Sequence, residues 1–307
     1  MRLVFAGTPA VAVPTLRALA AEHEIAAVIT RPDAPLGRKR VLTESPVAAA
    51  AEQLGLPVIK AARLDDAVTE QVRALGAALG VIVAYGGIVR EPLLSTPAKG
   101  WINLHFSLLP RWRGAAPVQR ALIAGDAELG VAVFQLVAAL DAGDVFAMRP
   151  VAVPDDATAD VALEVLAKDG ASLTLDVVAD IADGTALARP QEGDPTLAPK
   201  LTLDDGAIDW NAPFEQVYAR YRGVTPEPGA HTTLGGARLK ILHAAPAPAD
   251  SPQLDPGTMH GAKAAVLIGT GTTPLAVTRV QPAGKGPMGA ADWWRGLRDG
   301  GSVRAGS

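Results

Sequence analysis

Two residues in one short stretch have types and spacing suited to joint chemistry: Asn103 and His105, in Trp101-Ile102-Asn103-Leu104-His105-Phe106. The run is otherwise apolar, and alternate side chains of a strand share a face. An amide and an imidazole projecting side by side can serve a carbonyl reaction. The amide donates to a developing oxyanion, and the imidazole moves a proton near neutral pH. Pro110 forbids a continuing central strand, so the pair stands near a strand exit, where open α/β sheets bind ligands. Taken alone, a strand histidine equally fits a hydrogen-bonded structural role, the commoner case.

The pattern extends further. Asn103-Leu104-His105 is followed by Ser107-Leu108-Leu109-Pro110-Arg111-Trp112-Arg113-Gly114-Ala115-Ala116-Pro117. This run resembles the signature of the folate-dependent formyltransferases, in particular of members acting on methionyl initiator tRNA. The resemblance implies formyl transfer from 10-formyltetrahydrofolate to the α-amino group of the tRNA-borne methionine, with no metal. It also implies a catalytic set of Asn103, His105 and a distant Asp141. In that set Asn103 and a protonated His105 donate to the formyl oxygen, and Asp141 orients the imidazole and favours its charged form. By itself Leu140-Asp141-Ala142-Gly143-Asp144 reads as an acidic turn. The resemblance places the folate against Ser107, Leu108, Leu109 and Pro110, and against Tyr85, Gly86 and Ile88. Phe106, Gly87 and Glu227 stand where the family commonly has a small residue, a leucine and a tryptophan.

The elements that must position these groups follow from the rest of the chain. With 307 residues, 49% hydrophobic and 20% charged, two globular domains are expected. Cysteine is absent, which excludes disulfides, a thiol nucleophile and a thiolate metal site. The five histidines are scattered, so no metal is expected. The net charge of −4 does not announce a nucleic-acid binder, yet residues 205–307 hold ten Lys/Arg against eight Asp/Glu. A polyanion would have to be met by local basic patches. The apolar N-terminus is broken by Pro9, Pro14 and Arg17 and reads as strand, turn and helix, not as a secretory signal. No run reaches the ~20 apolar residues of a membrane span, so a cytoplasmic protein is expected; separately, it is expected to act as a monomer.

Strands are predicted at Leu3 to Ala6, Ala26 to Thr30, 57–59, Val81 to Tyr85, 101–106, 131–137 and 146–153. Helices are predicted near 11–21, 45–55, 65–77, 115–124 and 158–183, with Ser45, Asp65 and Thr158 as caps. This order describes a doubly wound, Rossmann-like α/β domain over 1–183. It lacks a G-x-G-x-x-G turn, so a dinucleotide site is not expected. Residues 31–42 form a basic, proline-containing loop with Arg31, Arg38, Lys39 and Arg40 against Asp33. It is either a solvated surface loop or a device for gripping phosphates. Residues 184–204 read as a Pro/Gly-rich linker. A helix near 213–222 and strands at 229–234, 237–244, 263–269 and 274–280 then suggest a small OB-like β-barrel over 205–307. A Gly/Ser-rich tail at 299–307 is expected to be unordered. The resemblance implies tRNA contacts at Arg38, Lys39, Arg40, Lys200 and Lys285. A formyltransferase for a small amine, a folate hydrolase and a non-catalytic RNA-binding barrel remain as alternatives.

Overall fold

The computed structural model describes residues 1–37, 40–297 and 304–307. They divide into two compact units, one made of Met1–Pro117, Glu128–Val153 and Leu163–Pro199, the other of Val118–Ala127, Pro154–Ala162 and Lys200–Ser307.

The first unit is built on a seven-stranded sheet. In chain order its elements are β1 (Arg2–Gly7), α1 (Val13–Glu22), β2 (Glu24–Thr30), a pair of short strands β3 (Ala34–Leu36) and β4 (Val41–Thr43), α2 (Pro46–Gln53), β5 (Val58–Lys60), α3 (Asp66–Leu75), β6 (Leu79–Val83) and β7 (Trp101–His105). Helix α4 (Pro117–Ala124), which beyond its first residue belongs to the second unit, separates the two-residue strand β8 (Arg113–Gly114) from β9 (Leu129–Gln135), β10 (Val145–Val151) and α5 (Ala159–Asp183), which belongs to the first unit from Leu163 onward. The sheet order is β10-β9-β7-β6-β1-β2-β5. Strands β5, β2, β1, β6 and β7 run parallel, whereas β9 is antiparallel to both β7 and β10. The parallel strands are near-continuous apolar runs because both faces are covered. On one face Val4, Ala6, Ile29, Ile82 and Trp101 pack with Val68 and Val72 of α3. On the other, Gly170 brings α5 down onto Leu104, where a Cβ would approach the leucine Cδ2 to 2.8 Å. The helix starts follow the expected caps: Ser45 Oγ accepts from Ala48 N at 3.0 Å and Asp65 Oδ1 from Val68 N at 3.1 Å.

Three segments differ from expectation. The basic stretch after β2 is a hairpin, β3 paired antiparallel with β4, although Leu36, Val41 and Leu42 are exposed. Residues 184–199, expected as linker, are docked. Arg189 exchanges backbone hydrogen bonds with Val145 at 2.8 and 3.0 Å, and β11 (Leu197–Ala198) pairs in parallel with β8. Residues 304–307, expected loose, are also held. Ala305 N donates to Gly257 O at 2.8 Å, Gly306 N donates to Thr233 O at 2.9 Å, and Ala305 is buried.

The second unit contains α6 (Phe214–Val224), β12 (His231–Leu234), β13 (Ala237–Pro246), β14 (Met259–Gly261), β15 (Val266–Ile268), β16 (Leu275–Pro282), β17 (Met288–Gly289) and α7 (Ala290–Arg295). Its antiparallel sheet, ordered β12-β13-β16-β15-β14 with β17 on β16, curls into an OB-like barrel. Ile208, Trp210, Tyr221, Ile241, Val266, Val277 and Trp293 fill it. The Tyr221 hydroxyl accepts from Ala244 N at 3.0 Å, which satisfies a backbone donor beside the irregular pairing around His243. No helix among the described residues is long and apolar enough to cross a membrane.

Candidate active site

The site is assembled on β7. Asn103 pairs with Ile82 of β6 and Phe134 of β9, and His105 pairs with Ala132. The two side chains therefore share the face that carries Trp101. Asn103 is half-buried and makes no side-chain hydrogen bond among the described residues, which leaves its amide available to a ligand. His105 is buried, its ring edge-on to Phe134 at a centroid distance of 6.3 Å.

The imidazole is held by backbone that arrives after the strand. His105 Nε2 lies 2.9 Å from the carbonyl of Trp112. A carbonyl only accepts, so Nε2 carries the proton. Trp112 has φ 61°, a left-handed conformation unusual for a bulky residue, and the turn leading to it is closed by Ser107 Oγ donating to Arg111 O at 2.6 Å. Nδ1 faces Asp141 Oδ2 at 3.9 Å, too far for a hydrogen bond. That carboxylate oxygen instead accepts from Gly114 N at 2.8 Å.

Asp141 reaches this position against the direction of the sheet. Gln135, the last residue of β9, pairs with Ile102 at the start of β7, so the 136–144 loop leaves the sheet at the end remote from His105. The loop doubles back, with Asp141 itself left-handed at φ 45°. Gly143 allows the return, because a Cβ there would collide with the Gln135 carbonyl oxygen.

Burial pushes the His105 pKa down from its ordinary value; the Asp141 carboxylate and the Trp112 carbonyl pull upward and do not offset it. This shift disfavours the protonated form that the resemblance implies for His105. In the neutral form that burial favours, the ring N–H is donated to Trp112 O and the bare nitrogen faces Asp141. Such a ring is a proton acceptor whose charged form the carboxylate would stabilise. In an NMR titration the His105 midpoint should lie below about 6.5. Asp141→Asn, which removes the upward pull, should lower it further. A midpoint raised above the ordinary value would refute this electrostatic description.

Both units match one family: residues 1–178 match the formyl transferase domain and residues 200–298 the formyl transferase C-terminal domain. The chain belongs to the formyl transferase family. Among its relatives, the methionyl-tRNA formyltransferase of Clavibacter sepedonicus is 60% identical over 298 residues, 97% of each chain. That of Leifsonia xyli subsp. xyli is 62% identical over 296 residues, 96% of this chain and 97% of the other. Among solved structures, HypX from Aquifex aeolicus in complex with tetrahydrofolic acid shares the fold at a TM-score of 0.65 and 17% identity. It aligns over 95% of this chain and 46% of its own.

In this formyl transferase the remaining predicted residues fall into distinct environments. Leu109 is buried in a small cluster with Ala132 and Phe134, Pro110 is buried, and Leu108 lies half-buried over Gly130. Tyr85 is buried, with its hydroxyl donating to Ala61 O at 3.1 Å, while Gly86 and Ile88 are exposed. These two groups follow β6 and β7, neighbouring parallel strands. Arg40, Lys200 and Lys285 are exposed; Arg38 and Lys39 lie outside the described residues. The Trp112 carbonyl, the Gly114 amide and Gln191 were not anticipated. Backbone groups leave no mark in a sequence, and Gln191 sits in a segment whose composition resembles a linker. No cluster of metal-ligating side chains occurs among the described residues.

Proposed function

We propose that this chain transfers the formyl group of 10-formyltetrahydrofolate to the α-amino group of methionyl initiator tRNA, as a cytoplasmic monomer. The observation that carries this reading is the likeness along both units to relatives bearing that activity in their names. The buried His105 beside Asp141 supports the chemistry. The neutral amine attacks the formyl carbon, and the Asn103 amide donates to the oxygen on which charge develops. His105 Nδ1 takes the proton the amine loses, Asp141 stabilises the imidazolium, and the proton passes to the departing folate nitrogen. The 107–110 turn and the Tyr85, Gly86 and Ile88 turn line the folate from adjacent strand ends. Tyr85, Ser107 and Leu109 shape those turns from beneath, while Ile88 and Gly86 meet the ligand. Arg38, Lys39 and Arg40, together with Lys200 and Lys285, bind tRNA phosphates.

The test is incubation of the purified protein with the formyl-folate donor and charged initiator tRNA, reading formyl incorporation into the aminoacyl group. Formylation of the tRNA amine is expected. Release of formate without an acceptor, or transfer only to glycinamide ribonucleotide or an amino-sugar nucleotide, would replace this reading.

A further inference from the structure

We infer that Gln191 is a positioning residue for the reaction: its amide fixes the backbone of the Asp141 loop and so sets where that carboxylate stands relative to His105. This rests on the assignment of Asp141 to the chemistry. Gln191 Nε2 lies 2.8 Å from Asp141 O and 2.9 Å from Gly143 O, so a single amide nitrogen donates to the carbonyls on either side of Ala142. Its Oε1 accepts from Arg113 Nε at 3.1 Å and from Arg113 Nη2 at 2.6 Å. The guanidinium can only donate and the two carbonyls can only accept, so the amide has one possible orientation. Arg113 adjoins Gly114, whose N–H holds the Asp141 carboxylate. Gln191 therefore ties together the two backbone segments that fix the carboxylate.

The clasp has something to hold. Asp141 carries a positive φ that a non-glycine residue adopts at a cost, and such a conformation persists only where neighbours impose it. Gln191 is itself fixed: two residues before it Arg189 exchanges backbone hydrogen bonds with Val145, and five residues after it Thr196 O accepts from Arg113 N at 2.8 Å. A displacement near 1 Å at a reacting geometry costs up to roughly a hundredfold in rate.

Two variants separate the roles of the amide. Gln191→Met keeps the volume and removes every hydrogen bond. Gln191→Glu keeps the pairing with Arg113 and loses both donors to the loop. Both should lower kcat roughly tenfold to a hundredfold with KM unchanged for folate and tRNA. In Gln191→Met the His105 titration midpoint should also fall, as in Asp141→Asn. The decisive comparison is made in an Asp141→Ala background, where adding Gln191→Met should change kcat no further, since residues acting through one another are not additive. An equal additional loss there would overturn the inference, as would wild-type kcat in both Gln191 variants with Asp141→Ala inactive. Full activity of Asp141→Ala would instead remove the underlying assignment of Asp141. If Gln191→Met does not fold, Gln191→Glu decides alone by its kcat.

Discussion

Replacing Asn103 by alanine should lower kcat/KM for formyl transfer by two to three orders of magnitude, the loss of about 3 kcal/mol that follows removal of one oxyanion donor. The structure makes this a clean test. The Asn103 side chain has no hydrogen-bond partner among the described residues and is half-buried in the middle of β7, so its removal breaks no internal hydrogen bond. Tm and tRNA affinity should stay near wild type while turnover collapses. Asn103→Asp keeps the shape but puts an acceptor where a donor is needed, so it should be at least as inactive as the alanine variant. His105→Ala should also be inactive but less interpretable, because it leaves the Trp112 carbonyl without its 2.9 Å donor and removes the contact with Phe134. Near-normal turnover in Asn103→Ala would eliminate the oxyanion role.

That Asn103 and His105 share a face was legible because a strand allows only two directions, and the apolar residues between them claim one. The same constraint made the parallel strands readable as apolar runs. Asp141 was not legible from its own surroundings. Its place depends on a loop that leaves the far end of β9 and returns, held by an amide fifty residues later in the chain. Neither the turn-forming composition of 140–144 nor that of 184–199 carries this information. In both segments the holding groups are backbone donors and acceptors, which every sequence possesses. Residues 184–199 looked like a linker for the same reason: Pro, Gly and Asp are what a free tether needs and equally what a strap docked through its main chain tolerates. The downward shift of the His105 pKa was not legible either, because burial, its cause, belongs to the assembled sheet and not to its neighbours in sequence.

Gly80→Ala is expected to be among the most destabilising single-methyl additions in the first unit, costing about 3 kcal/mol or more through overpacking. Gly80 on β6 pairs with Trp101 on β7, and the indole lies across the glycine so closely that an added Cβ would fall within the ring. The ring has no direction of escape. Trp101 is fully buried, packs in the cluster with Val4, Ile82 and Leu93, and donates from Nε1 to Leu93 O at 2.9 Å. Relief must come from β7 moving, and β7 carries Asn103 and His105 on the Trp101 face, so activity should fall together with the urea midpoint. Trp101→Leu alone should also destabilise, by lost burial and by loss of the indole hydrogen bond to the Leu93 carbonyl, which keeps only Thr96 N as donor, at 3.1 Å. Combined with Gly80→Ala it should cost less than the two single effects together, because the smaller side chain vacates the space the new methyl needs. Strict additivity in that cycle, or an unchanged midpoint in Gly80→Ala, would mean that the glycine does not set the spacing on which the catalytic strand is built.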